Sequence, residues 1–531
     1  MVPNNAFVED HVYTLPGGFA PDGMTAGGHV FGLWPQPDGQ WRFVWDGVPS
    51  DPFDGVVSTR DGSGSFWSDD GCHLAYIGSR AGRAFVGRDG AEDRAFDSIS
   101  GSVPPTLSAR GEHLAYGALA EGVHRLILDG SAISEEPLAP IAPALSADGS
   151  RLAFVEAQSQ DDSTAGQRIV IDGVPGPWFR GMRNARGVMQ FSPDGRRFAY
   201  YRIDAKGGGQ WVVDGVGHRW INDVRPLGLA QIRGVGVLDP PMVARFSPDG
   251  NRFAYAADVK EKGVAMIEDD QPGPSVRGCG VPMFSNDGRR FGYTVETHTK
   301  RGAIVVDGAM GREWEHVSSE LVFSPDGRRV AAGIWREEGG LFRKRRVYAM
   351  TVDDEVIGEL PGIDSGLRPV FSPDGSRLAW WVETDNSALQ LFVDGEPVGG
   401  QALSEPSFSS SGGLAYVSAD EDGETVVLDG HAGPPSLGVL TQGGGLPRSE
   451  REGQRPFRLS PDGEHVAWVG LFDESGGADA KARNQGLWPR PVYDDHVGAA
   501  YDQILSWSFD EHGSAMWWAV RGDEVIRVLM R

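Results

Sequence analysis

All-β, in four-stranded repeats, is the fold class the sequence predicts, and three observations carry it. First, the phrase Phe-Ser-Pro-Asp-Gly occurs unaltered at Phe191–Gly195, Phe246–Gly250, Phe323–Gly327 and Phe371–Gly375. Looser copies begin at Phe19, Trp67, Leu107, Leu145, Phe284, Phe408, Leu459 and Phe509, and all twelve have glycine fifth. Second, copies follow one another at 37 (Gly375 to Gly412) to 55 (Gly195 to Gly250) residues, the length of one β-propeller blade rather than of a helical solenoid unit. Third, an Asp-Gly hairpin signal recurs later in the unit, at Asp129-Gly130, Asp172-Gly173, Asp214-Gly215, Asp307-Gly308, Asp394-Gly395 and Asp429-Gly430. The copies run almost from end to end and leave no stretch for a separate catalytic domain.

The unit from Phe191 to Val224 shows how each strand is encoded. Phe191 ends strand A, and Pro193-Asp194-Gly195 is turn chemistry, with proline presetting φ and glycine accepting a positive φ. Arg197 to Tyr200 then alternates as strand B, with Phe198 and Tyr200 on one face. A glycine-rich loop leads to strand C at Trp211-Val212-Val213, and Asp214-Gly215 turns it into strand D. Near-copies of that pair are Asp269-Asp270, Asp353-Asp354 and Asp494-Asp495.

Two further positions repeat with the unit. A small residue stands at Ala75, Ala115, Ala153, Ala199, Ala254, Gly292, Ala331, Ala379 and Ala467, where it lets the neighbouring blade approach the sheet. Two residues earlier stands a base: His73, His113, Arg151, Arg197, Arg252, Arg290, Arg329, Arg377 and His465. Because it recurs with the unit, it reads as a structural partner of the turn aspartates rather than a ligand-binding group. A Ser-Pro-Asp-Gly turn followed by a basic-apolar-alanine-aromatic strand resembles the WD-repeat-like propeller repeat of the TolB family. The resemblance spans nearly the whole chain; it implies a propeller and implies almost nothing about activity, since that fold hosts many functions.

The last copy has room for strands B (Ala515 to Val520) and C (Val525 to Met530) but no D, and Val12 to Leu15 offers one ahead of the first copy. Both ends are therefore expected to share one blade, which removes an exposed edge. Propellers typically have four to eight blades, so two packed rings are the expectation, 1–245 with 431–531 as one and 246–430 as the other. A six-plus-six division at 283/284 and one ring over 1–531 are the alternatives.

A net charge of −25 argues against nucleic acid and anionic membrane as partners, since both need a positive field. Two cysteines, Cys72 and Cys279, make no disulfide framework, and no stretch approaches a membrane span or a signal sequence, so a cytoplasmic protein is expected. Catalytic signals are poor: there is no Gly-x-Ser-x-Gly elbow, and no His-x-x-x-His or Cys-x-x-Cys metal spacing. Ser418 to Gly423 echoes a calcium loop only faintly. No catalytic residue, metal ligand or cofactor is assigned.

Long insertions all fall between strands B and C or between D and the next A, at 158–167, 216–245, 335–346, 431–458 and 470–490. Those loops share one face, and the variable face is the expected binding face. Its candidate residues are Trp335, Phe342, Arg343, Lys344, Arg345 and Arg346, a basic cluster suited to an acidic peptide, and Trp488 with Arg490 as an anchor. The expected function is a non-enzymatic scaffold that binds a protein partner, one with a neutral or basic surface or an acidic peptide at 343–346. A propeller enzyme of the polysaccharide lyase or hydrolase kind, or a glycan or small-molecule binder in the central channel, are the alternatives.

Overall fold

The alternation of apolar and polar residues seen in the sequence becomes strand pairing in a computed structural model. It describes residues 7–57, 65–159, 166–182, 188–203, 209–218, 244–259, 263–340, 343–362, 369–383, 389–399, 401–440, 456–473, 487–510 and 512–530. Eleven antiparallel sheets are formed among them; ten match one sequence repeat each, and a nine-stranded sheet holds repeats 9 and 10, joined where Leu389 pairs with Ala402. The chain is thus an all-β, propeller-like repeat protein.

Repeat 5 sets the pattern. Strands Met189–Phe191, Phe198–Ile203, Gly209–Val213 and Val216–Gly217 follow in order, with Phe191 opposite Phe198, Tyr200 opposite Val212 and Val212 opposite Gly217. Strand B is buried on both faces because sheets pack against it from either side, so it reads as a continuous apolar run. Its Ala199 has no exposed surface, and Ala75, Ala115, Ala153, Ala254, Ala331, Ala379 and Ala467 are equally closed in. A larger side chain there would push neighbouring sheets apart, the reason the position stays small.

Cores lie between sheets rather than within them. Trp211 of repeat 5 packs edge-on against Phe253 of repeat 6 at 5.2 Å, inside a cluster that reaches back to Ala153 of repeat 4. Repeat 10 shares a cluster with repeat 11 through Val417, Val426, Val466 and Trp468. The junctions at 245/246 and 430/431, the expected ring boundaries, therefore carry the same kind of packing as the others.

Strand Phe7–Thr14 pairs antiparallel with Glu524–Met530, from Phe7 opposite Met530 to Thr14 opposite Glu524, and forms the outer strand of the repeat 12 sheet. Leu15, Phe19 and Val30 then pack with Leu505, Val520 and Val525, which sets repeat 12 against repeat 1.

The copy at Phe19 is not the tight turn of repeat 1. Strand A of that sheet is Gly23–Met24, and the turn follows at Thr25–Gly28, where Gly28 has φ 86° and the Gly28 amide donates to the Thr25 carbonyl. One residue fewer separates this glycine from the base at His29, and the turn itself reads Met24-Thr25-Ala26-Gly27-Gly28, without the phenylalanine, proline and aspartate of the phrase. Repeat 8 departs in the other direction, with strands B and C lengthened to Val330–Gly340 and Arg343–Val352. No helix among the described residues is long and apolar enough to cross a membrane.

Candidate functional site

The two ends of the sheets use their polar side chains differently. At the A-to-B and C-to-D end, Ser192 Oγ donates to Asp194 at 2.5 Å and accepts from the Arg197 amide at 2.9 Å, fixing the turn. Asp214, held at φ 50°, accepts from the Phe198 amide (2.9 Å) and from Arg197 Nε (2.8 Å). Arg197 Nη1 then reaches the next repeat, donating to the Asn251 carbonyl at 2.6 Å, with its guanidinium over the Phe246 ring.

The same figure recurs around the molecule. Arg151, Arg252, Arg290, Arg329 and Arg377 each donate to the turn carbonyls of the following repeat and lie over its Phe191, Phe284, Phe323, Phe371 or Phe408. His29, His73, His113 and His465 fill the position in other repeats and place Nδ1 2.7–2.8 Å from Asp46, Asp89, Asp129 and Asp494. The base is a partner of the hairpin aspartate, as the sequence indicates, except that Arg252 takes the neighbouring Glu268. The base's second contact, to the phenylalanine of the next repeat, is absent from that reading.

These ties also set the carboxylates' chemistry. Hydroxyl donors from Ser146 and Ser372, followed by Ser150 and Ser376, hold Asp148 and Asp374 down at about 2. Asp462, Glu464 and His465 bring ligand-type atoms within 4.8 Å of one another on this end. Asp462 there accepts from Ser460 and from the Glu464 amide, and His465 faces Asp494, so the group belongs to the repeated turn network. In the Ser418–Gly423 segment, Asp420 accepts from the amides of its own turn at Asp422 and Gly423.

At the opposite end the polar groups serve local arrangements. In repeat 8, Arg336 makes a two-pronged contact with Glu359 at 2.8 Å and also holds Glu338, which in turn takes Arg345 at 3.0 Å. Those guanidinium bonds pull Glu338 and Glu359 below the ordinary carboxylate range. Trp335 is half-buried, stacked on His316 at 5.1 Å and packed against the cores on both sides, so it anchors its own hairpin. Arg346 lies near the Tyr348 hydroxyl at 3.4 Å. Arg343 and Lys344 pair through their backbones with Gly340 and Gly339; Phe342 lies outside the described residues.

Trp488 and Arg490 open strand C of repeat 11, and the structure brings to them residues that sequence spacing conceals. With Ala500, Tyr501, Asp502 and Arg521 they line a recess of about 350 Å³. Tyr501 closes the repeat 11-to-12 connection and Arg521 ends strand B of repeat 12. Arg521 lies over the Tyr501 ring at 4.8 Å and grips Glu9 of the closing strand through Nη1 (2.9 Å) and Nη2 (2.8 Å). Tyr501 donates its hydroxyl to the same carboxylate at 2.5 Å. The Arg521 hydrogen bonds hold Glu9 below its usual range, and burial, then Glu9, push the Tyr501 phenol up. Asp502, exposed at the rim, accepts from the Gly522 amide at 2.6 Å, and Arg490 donates to the Gly498 carbonyl at 3.3 Å.

No protein-family model matches the chain. No curated protein matches it either. Among solved structures, a eukaryotic initiation factor is similar at 12% identity and a TM-score of 0.33, over 63% of this chain and 86% of that one. The beta-propeller domain of the Trilobed protease from Pyrococcus furiosus, described as having an open velcro topology, is similar at 13% identity and a TM-score of 0.24, over 58% of this chain and 95% of that one.

Proposed function

We propose that the chain is a non-enzymatic interaction scaffold whose twelve repeats follow one another in a single ring and whose looped face holds a protein partner. The observation that carries this reading is the contrast between the two ends of the sheets. One end is committed to internal ties that repeat from unit to unit. The other carries the lengthened hairpin of repeat 8, the recess of repeats 11 and 12 and the connections of varying length. The single ring is supported by packing of repeat 5 on 6, of 10 on 11 and of 12 on 1. A partner presenting an acidic segment suits the run of four basic residues from Arg343 to Arg346, of which Arg345 is well exposed beside Glu338. The TolB-type repeat and a cytoplasmic setting remain part of the same proposal.

The test is affinity capture with the full chain, run beside Arg345→Glu/Arg346→Glu and a tight-turn control, Arg328→Glu, followed by crosslink mapping. A stoichiometric partner that crosslinks to the looped face, and that the double variant loses while the control keeps it, is the expected result. No specific partner with the wild-type chain, or a partner crosslinked to the tight-turn face, would overturn the reading.

A further inference from the structure

The recess between repeats 11 and 12 combines features that no single structural duty explains, and the inference drawn from it does not rest on the scaffold reading. Its volume, about 350 Å³, is at the low end of the range for small-ligand sites. One wall is the half-buried indole of Trp488; the other groups are Arg490, Asp502, and Arg521 lying over Tyr501. Arg521 is matched by Glu9, and Arg490 and Asp502 offset one another, so the local charge sums to zero in a chain of net charge −25.

That composition narrows the ligand by elimination. An anion meets Asp502 at the rim and the negative field of the whole molecule. A cation meets two guanidinium groups. A purely apolar ring covers Asp502 and the guanidinium edges without giving them partners, which costs desolvation. A neutral ring with an apolar C–H face and hydroxyls around its rim meets every requirement. Its face lies on the indole, its hydroxyls donate to the Asp502 carboxylate, and the same oxygens accept from arginine N–H groups.

We propose that this recess is a binding site for an uncharged pyranose sugar, of the size of a mono- or disaccharide. The site is joined to the closure of the chain. Tyr501 and Arg521, two of its walls, are the residues that hold Glu9 of Phe7–Thr14. A ligand that orders those walls favours the closed pairing of the first and last strands, so its binding raises the unfolding temperature by mass action.

The experiment uses the full chain and a panel of neutral hexoses and their disaccharides, with glucuronate and N-acetyltryptophanamide as charged-sugar and aromatic controls. Binding is read by calorimetry and tryptophan fluorescence, and unfolding temperature with and without each sugar. The expected result is saturable binding of at least one neutral saccharide, with an upward shift in unfolding temperature. Trp488→Ala and Asp502→Asn should each weaken that binding about ten-fold or more while unfolding cooperatively without sugar. Glu9→Gln should weaken it less, through the positions of Arg521 and Tyr501, and should reduce the sugar-induced temperature shift. Three results would overturn the proposal: no neutral saccharide binding at about 50 mM, far above a millimolar Kd; binding by the Trp488 and Asp502 variants as tight as by the wild-type chain; or tighter binding of either control. Should one variant fail to fold, the other decides the question by the same comparison.

Discussion

The two ends of the sheets are made from the same strands, yet a glycine or an arginine has a different meaning at each. Gly111, in the tight turn of repeat 3, has φ 69°, and a Cβ there would lie 2.2 Å from the His73 ring of repeat 2. Gly82, in the B-to-C turn of repeat 2, has a similar φ of 74°, and a Cβ there would meet nothing within 4 Å. Both glycines relieve the same backbone strain. Only the first also lets one repeat seat on another, and that is what distinguishes a structural end from a free one.

The largest expected effect tests that distinction. Gly111→Ala adds a steric clash to the left-handed penalty and should cost about 3 kcal/mol, whereas Gly82→Ala should cost about 1 kcal/mol. Equilibrium denaturation of the two variants measures both. Equal losses would mean that the turns do not hold neighbouring repeats together.

Arginine repeats the comparison at smaller scale. Arg197, with 28% of its side chain exposed, joins Asp214 to the turn of repeat 6, and Arg197→Ala should cost about 1–2 kcal/mol once solvent screening is counted. Arg345, 63% exposed, has Glu338 as its ion-pair partner, and Arg345→Ala should cost about 0.5 kcal/mol or less. A comparable loss at Arg345 would make the repeat 8 hairpin a structural brace.

The same contrast explains what the sequence could and could not reveal. Hairpin aspartates, the small residue of strand B and the base facing the aspartate were legible because each is local and repeats in register. The turn of repeat 1 was hidden because Met24 to Gly28 keep only the final glycine of the phrase, although His29 and Asp46-Gly47 stood in place to mark it. The stacking of each arginine on the next repeat's phenylalanine links two columns of the repeat that lie tens of residues apart, so only three dimensions join them. On the looped end, Trp488 and Arg490 were visible because they follow an insertion. Glu9, Tyr501 and Arg521 were not, because their association depends on the two ends of the chain meeting.

That meeting gives a pH test. Arg521 holds Glu9 below its ordinary value of 4.5, so the pair's contribution is present above that value and is lost as pH falls through the lowered one. Glu9 is 36% exposed, and Glu9→Gln should therefore cost only about 0.5–1 kcal/mol at neutral pH. The difference between wild type and variant should shrink as the pH drops below 4.5. A difference unchanged on the acid side would show that Glu9 acts through shape rather than charge.

The smallest effect concerns two kinds of junction on the tight-turn end. Where the base is arginine, in repeats 4 to 9, the next repeat opens its turn with phenylalanine, and each guanidinium lies 4.9–5.6 Å from that ring. Where it is His73 or His113, the next turn opens with Leu107 or Leu145, and the imidazole instead fills the space under Gly111 or Gly149. At these eight junctions the base and the opening residue vary together, whereas His29 and His465 precede the aromatic openings Trp67 and Phe509. His113→Arg alone should change stability by about 0.5 kcal/mol or less, because its guanidinium finds an aliphatic side chain. Leu145→Phe alone should be neutral or slightly destabilising, and the double variant should exceed the sum of the singles by about 0.5–1 kcal/mol, the worth of an exposed cation–π contact. A coupling near zero would mean that the arginine acts only through Asp129 and the turn carbonyls, and that phenylalanine in the recurring phrase serves its own sheet.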